Sequence, residues 1–124
     1  MSQGTFRLAR VSDDGTLKRA KATAFGIAGA SLTVKQGRLY RVVFVNKGAT
    51  AYFAQIHDKA SVPTSADVPI WEDKLPANGS VVIVFDEGLY AMLGIGLAIS
   101  TTAEVLTLAA ASDAVAYAQY ASLP

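Results

Sequence analysis

Apolar and polar residues alternate along most of this chain with a period of two, and the runs are short. Phe6 and Leu8 alternate with Arg7 and Ala9, and Asp13-Asp14-Gly15 follows as a turn. Leu32 and Val34 alternate with Ser31, Thr33 and Lys35, the pattern of a half-buried strand. Gln36-Gly37 turns the chain into a strand from Arg38 to Asn46, whose centre, Val42-Val43-Phe44-Val45, is apolar on both faces. Asn46-Lys47-Gly48 reads as a hairpin connection. Thr50 to Asp58 then pairs back, with Tyr52, Ala54 and Ile56 on one face and Phe53, Gln55 and His57 on the other.

A loop from Lys59 to Asp67 follows, rich in Ser, Thr and Ala. Pro69 and Pro76 flank the segment Ile70 to Leu75, and proline is poorly tolerated in central strands, so this segment reads as an edge or a loop. Asn78-Gly79 is a strong turn signal before Val81-Val82-Ile83-Val84-Phe85, which reads as a fully buried strand. Asp86-Glu87-Gly88 predicts another turn, then strands at Leu89–Leu93, Ile95–Ser100, Val105–Leu108 and Ala114–Tyr120. Ala109 to Ala118 has the alanine content of a helix, but Val115, Tyr117 and Gln119 alternate with alanines and favour a strand. About nine short strands with turn signals every 8–12 residues is the pattern of a sandwich or a barrel.

Length adds that the 124 residues fit one domain able to bury a core without disulfide or metal. The absence of cysteine fits a reducing compartment. The first residues carry no basic-then-apolar run, so no secretory signal is expected. The longest uncharged stretch, Gly88 to Ala103, is interrupted by glycines and a Ser-Thr-Thr cluster, which favours core strands over a membrane span.

Charge changes the picture more. Residues 1–47 hold nine Lys/Arg and two Asp, while residues 48–124 hold two Lys and eight Asp/Glu. Two readings compete. Strands from both halves can interleave and mix the charge over the surface. Alternatively, the basic half faces an acidic surface on a neighbouring subunit or nucleic acid, and the charge sets register.

Reactive chemistry is sparse. His57-Asp58 with Ser100, Thr101 or Thr102 invites a hydrolase reading, but no G-x-S-x-G elbow is present. Asp58, Asp67, Glu72, Asp73, Asp86 and Glu87 offer oxygen ligands without the close spacing of a calcium loop, and one histidine without cysteine is a poor zinc set. Arg7, Arg10, Lys18, Arg19 and Lys21 form a basic cluster suited to phosphates or to an acidic protein surface. No aromatic stacking pattern accompanies them, which disfavours nucleic acid. Asn78-Gly79-Ser80 matches a glycosylation sequon but is better explained as a turn. Trp71, beside Val68-Pro69 and Ile70, is either an exposed anchor for a partner or a rim of the domain's own core.

From Arg38 to Tyr120 the order of features resembles the small β-sandwich virion proteins of tailed bacteriophages. The residues that carry the resemblance are Tyr52 to Asp58, Val62-Pro63, Val68-Pro69, Pro76 to Ser80, the strand to Phe85, Gly88-Leu89, Gly96 to Thr102 and Tyr117 to Tyr120. They cover about two-thirds of the chain; residues 1–37 do not take part. The resemblance implies a non-enzymatic virion component without cofactor, best a capsid cement (decoration) protein assembled in the bacterial cytoplasm. It implies partners in the major capsid protein and in further copies of the chain, with a trimer favoured and no membrane. The expected fold is a mainly β, jelly-roll-like antiparallel sandwich over residues 31–124, with an extended strand or arm over residues 1–30. Arg7, Arg10, Lys18, Arg19 and Lys21 are the expected contacts to an acidic capsid surface. Trp71 and the loop from Lys59 to Asp67 are the expected contacts to a neighbouring subunit. The alternative function is a carbohydrate- or receptor-binding module of a tail or fibre, which would expose aromatics from loops; a third is a small jelly-roll hydrolase.

Overall fold

The computed structural model describes residues 18–22, 29–109 and 114–122. Its strands are β1 (Lys18–Ala22), β2 (Ala30–Thr33), β3 (Gly37–Asn46), β4 (Tyr52–Asp58), β5 (Trp71–Leu75), β6 (Gly79–Ala91), β7 (Ile95–Ser100) and β8 (Ala114–Ser122). They form two four-stranded antiparallel sheets. Sheet I has the order β1-β8-β3-β6 and sheet II the order β2-β7-β4-β5. First pairs with eighth, second with seventh, third with sixth and fourth with fifth. That is one long antiparallel hairpin wound around a barrel axis, the jelly-roll topology. The expected jelly-roll-like sandwich is therefore the observed one. The segment before Ala30 contributes β1 to sheet I, whereas the Phe6–Ala9 strand and the turn at residues 13–15 lie outside the described residues.

Alternation explains which faces meet. In sheet I, Leu39, Val42 and Phe44 of β3, Ile83 of β6 and Ala114, Ala116 and Ala118 of β8 are buried in the core. In sheet II, Tyr52, Ala54 and Ile56 of β4, Leu75 of β5 and Ile95, Leu97 and Ile99 of β7 complete it. β8 and β7 both stand second in their sheets. The alanine row of one and the large aliphatic side chains of the other belong to the same core.

Among the described strands, only β4 and β5 are consecutive neighbours in one sheet; each other consecutive pair is divided between the two sheets. The expected hairpin at Asn46-Lys47-Gly48 is therefore corrected to an arch: β3 lies in sheet I and β4 in sheet II. Turn-forming residues reverse a chain equally well within a sheet or between two, so the local signal cannot separate them. Asn46, 1% exposed, shows how the arch is held. Its Oδ1 accepts the Gly48 N–H at 2.9 Å, and its Nδ2 donates to Thr50 O at 2.7 Å and Pro76 O at 3.2 Å. Asn78 N–H donates to Gly48 O at 2.9 Å, so the β3–β4 and β5–β6 arches are tied together.

Four further expectations are corrected. Val81 to Phe85 is not fully buried: Val82 and Val84 are 53% and 57% exposed, because β6 is an edge strand with one face on the core. Asp86-Glu87-Gly88 does not end the strand. Arg41 opposes Val84 and Leu39 opposes Leu89, so four residues of β6 stand against the single Tyr40 of β3. The turn signal is spent on this bulge, with Gly88 at φ +85°, a conformation that favours glycine. Val105–Leu108 is no strand; Leu108 makes one isolated bridge to Ser100. Val34 lies beyond the end of β2 and is exposed, and Thr33 takes the buried position. The segment flanked by prolines is an edge strand, β5.

Replacing Asn46 with Ala leaves two carbonyls and one N–H without their partners, and is expected to cost about 2 kcal/mol in urea unfolding. Asn46→Asp keeps the acceptor for Gly48 but loses both donors, and is expected to recover none of that loss.

Candidate functional site

The outer face of sheet II collects the residues that the sequence offers for catalysis. Along β7, Gly96, Ala98 and Ser100 alternate with the core residues Ile95, Leu97 and Ile99, and they stand opposite His57, Gln55 and Phe53 of β4. Gly96 leaves room for Pro63: a Cβ there would lie 2.6 Å from the Pro63 ring. The 59–70 loop thus folds back over the sheet it connects. It pairs with the loop after β7 through Ala66 N–H to Leu106 O and Leu106 N–H to Asp67 O, both 2.8 Å. The Lys59–Asp67 ion pair at 2.6 Å and the Thr64 N–H to Asp67 bond at 2.8 Å brace its interior.

Beneath these loops His57, Gln55 and Ser100 are buried. His57 Nε2 is 2.9 Å from Gln55 Oε1, which only accepts, so the ring carries its proton on Nε2. Gln55 Nε2 donates to Glu72 Oε1 at 2.8 Å, and Glu72 Oε1 also accepts the Glu104 N–H at 2.9 Å. Burial lowers the His57 pKa below its ordinary 6.5; the Asp67 charge opposes this and Lys59 adds to it. Asp67 itself is held below its ordinary carboxylate value, first by the Lys59 hydrogen bond and then by Thr64 N–H.

This geometry does not bring Ser100, the buried hydroxyl weighed as a nucleophile, to His57. His57 opposes Gly96 while Ser100 opposes Phe53, four residues further along, about 13 Å at strand rise. Ser100 Oγ is a loop hub: it lies 2.6 Å from Thr102 O and accepts the N–H groups of Thr102 at 3.1 Å and Thr107 at 2.9 Å. Thr102 Oγ1 donates to Val105 O at 2.9 Å. Asp58 does not address His57 either. Its carboxylate accepts N–H from Met92 at 3.0 Å, Leu93 at 2.7 Å and Gly94 at 3.3 Å, and so caps the β6–β7 arch. The six carboxylates weighed for calcium are dispersed, and among the described residues no group of three His, Cys, Asp or Glu could hold a metal.

The surface is the more distinctive candidate. Outward residues of sheet I line up in rows across the strands. Tyr117, Val43 and Val82 form one row, Gln119, Arg41 and Val84 the next, and Val115, itself buried, with Val45 and Ser80 a third. An outer sheet face in water normally reads polar, yet here Val82, Val84 and Tyr117 are exposed. Of the five basic residues expected to make contacts, Lys18, Arg19 and Lys21 are in β1 at the edge of this sheet, with Lys21 opposite Tyr117 and Arg19 opposite Gln119. Arg7 and Arg10 lie outside the described residues. Trp71 stands at the β5 edge, packed edge-on against Phe85 of β6 at 5.2 Å, and remains 44% exposed. It packs across the open side of the sandwich, as the rim reading has it, and still presents a face to solvent. Sequence reasoning missed Gln55, Asn46 and the outward valines of β6. Only the valines carried a signal, the period-two position opposite Val81, Ile83 and Phe85, and the unbroken apolar run obscured it.

Comparison with protein-family models and with curated proteins finds no match for the chain.

His57 gives the fold a pH dependence of defined sign. The folded pKa is lowered, so folded and unfolded chains are both neutral well above 6.5. Below 6.5 the unfolded chain binds a proton that the folded chain resists, and stability falls until the folded pKa is passed. The slope in that window is expected to reach at most about 1.4 kcal/mol per pH unit. Urea unfolding across about pH 7.5 to 5 measures it, and His57→Gln should flatten it. Asp67 acts in a separate, more acid window: its contribution is present above 3.8 and is lost as pH falls through its lowered folded value.

Proposed function

We propose that this protein is a non-enzymatic structural component of a tailed-bacteriophage virion, a capsid cement or decoration protein that stabilises the shell through surface contacts. The observation that carries the reading is the outer face of sheet I. Val82, Val84 and Tyr117 stand in solvent across a rigid sheet, with Arg41 among them and the basic strand β1 at its margin. An apolar patch with charged neighbours is the form of a protein-docking surface. The polar side chains under the loops of sheet II are meanwhile engaged with one another and with the loop after β7.

The resemblance to phage virion proteins supplies the biological setting, and the jelly roll supports it as a fold used in viral shells, though a fold alone does not fix a function. In this reading the partners are the major capsid protein and other copies of the chain. The basic residues steer docking onto an acidic shell surface, and the outward valines and Tyr117 supply apolar contact area. No helix among the described residues is long and apolar enough to cross a membrane.

Purified protein is expected to co-sediment with capsid shells of the parent phage and to raise the temperature at which they come apart. Lys18→Glu/Arg19→Glu/Lys21→Glu should weaken binding about tenfold or more, and added salt should weaken the wild type as well. Unchanged shell occupancy would remove β1 from the contact. Failure of the wild type to bind shells, with binding to a glycan array instead, would replace the cement reading by the receptor-binding one.

A further inference from the structure

The jelly-roll order converts the charge split along the chain into a split between two sides of the molecule. Each sheet has two edges. β1 and β2 form the edges on one side of the sandwich, and β6 and β5 form those on the other, where Trp71 meets Phe85. The first side carries Lys18, Arg19 and Lys21 in β1 and no acidic residue in either strand. The second side carries Asp86 and Glu87 in β6 and Glu72 and Asp73 in β5, against the single Lys74. Asp73, Asp86 and Glu87 are exposed.

Charged residues on edge strands are a common device against sheet-to-sheet association between copies. The device works when both edges carry the same sign. Here the signs are opposite, so one side of the molecule repels its like and attracts the other side of a neighbour. Strand direction agrees with that attraction. β1 is antiparallel to β8, β8 to β3 and β3 to β6, so β1 and β6 run in opposite directions. The same alternation makes β2 and β5 opposite. A second copy related to the first by a rotation about an axis along the strands keeps those directions and therefore brings antiparallel edges together in both sheets. Apolar area is available at the same joint, since Trp71 on β5 and Val82 and Val84 on β6 are exposed beside the acidic residues.

We propose that the occupant of the acidic β5–β6 side is the basic β1–β2 side of another copy of this chain, and that this head-to-tail contact closes into a ring. The contact is heterologous: two different surfaces of each copy are used, and closure leaves no free side. The proposal rests on the folded chain alone and not on the virion reading. A protein that forms the ring without binding shells would refute only the proposed function, and one that binds shells as a monomer would refute only the ring.

The test is solution mass by light scattering after size exclusion, at low salt and in the absence of shells. Wild type is expected to give a defined oligomer that dissociates as salt rises. Lys18→Glu/Arg19→Glu/Lys21→Glu and Asp73→Lys/Asp86→Lys/Glu87→Lys should each require at least about tenfold higher concentration to associate. Mixed in equal amounts, the two variants should associate again, and only in even-numbered particles, because every joint then needs one of each. The chain carrying all six reversals has its signs exchanged and should recover the wild-type mass, which separates lost contact from lost folding. A wild-type monomer, single-side variants with wild-type mass, or a six-fold variant that stays monomeric while folded by circular dichroism would each overturn the proposal.

Discussion

Among the described strands every consecutive pair except β4 and β5 is divided between the two sheets, and the arches that result must satisfy backbone groups that no ladder can reach. Buried or half-buried N–H and C=O groups without partners are costly, so the winding holds only if side chains supply those bonds. Asn46 does so at one end, joining the β3–β4 arch to Pro76 O of the β5–β6 arch. Asp58 does so at the other, accepting three consecutive N–H groups from the β6–β7 arch. Both are the last residues of their strands. The two sheets are thus fixed to each other by polar groups at their ends as well as by the apolar layer between them.

The same economy governs the outer face of sheet II. Because β4 and β5 are the tip of the wound hairpin, their long connection is free to fold back, and Gly96 gives Pro63 a seat on β7. Once covered, Gln55, His57 and Ser100 need internal partners: His57 and Gln55 find them in each other and in Glu72 of β5, and Ser100 finds them in Thr102 and Thr107 of the loop after β7. Gln55, His57 and Ser100 thus lie in a layer of buried hydrogen bonds beneath the two loops.

Much of the fold was legible in the residues. Period-two alternation located β3, β4, β7 and β8 closely, and the flanking prolines narrowed the Ile70–Leu75 segment to an edge or a loop, of which the edge strand β5 is observed. Partner choice was not legible, since Asn46-Lys47-Gly48 has the chemistry of a turn without stating which sheet receives the next strand. Burial failed at Val81–Phe85 for a related reason. An unbroken apolar run reads as a central strand, whereas here the outward valines belong to an exposed surface. Trp71 and the basic cluster were visible as candidates by residue type alone. The segregation of charge to opposite sides of the sandwich needed the strand order, because neighbours in the sheets are distant in sequence.

That distance also bears on how the chain comes to be folded. Lys18 opposes Tyr120, so the first described strand finds its partner only when the last one exists. During synthesis the early strands wait for roughly a hundred residues to be added, with the apolar faces of β3 and β6 in view of water and of one another. Such nonlocal pairing slows folding and exposes sticky intermediates. Lys18, Arg19 and Lys21 keep the waiting strand β1 soluble during that interval, so the same charges that mark the sheet edge of the finished sandwich act first as guardians of the nascent one.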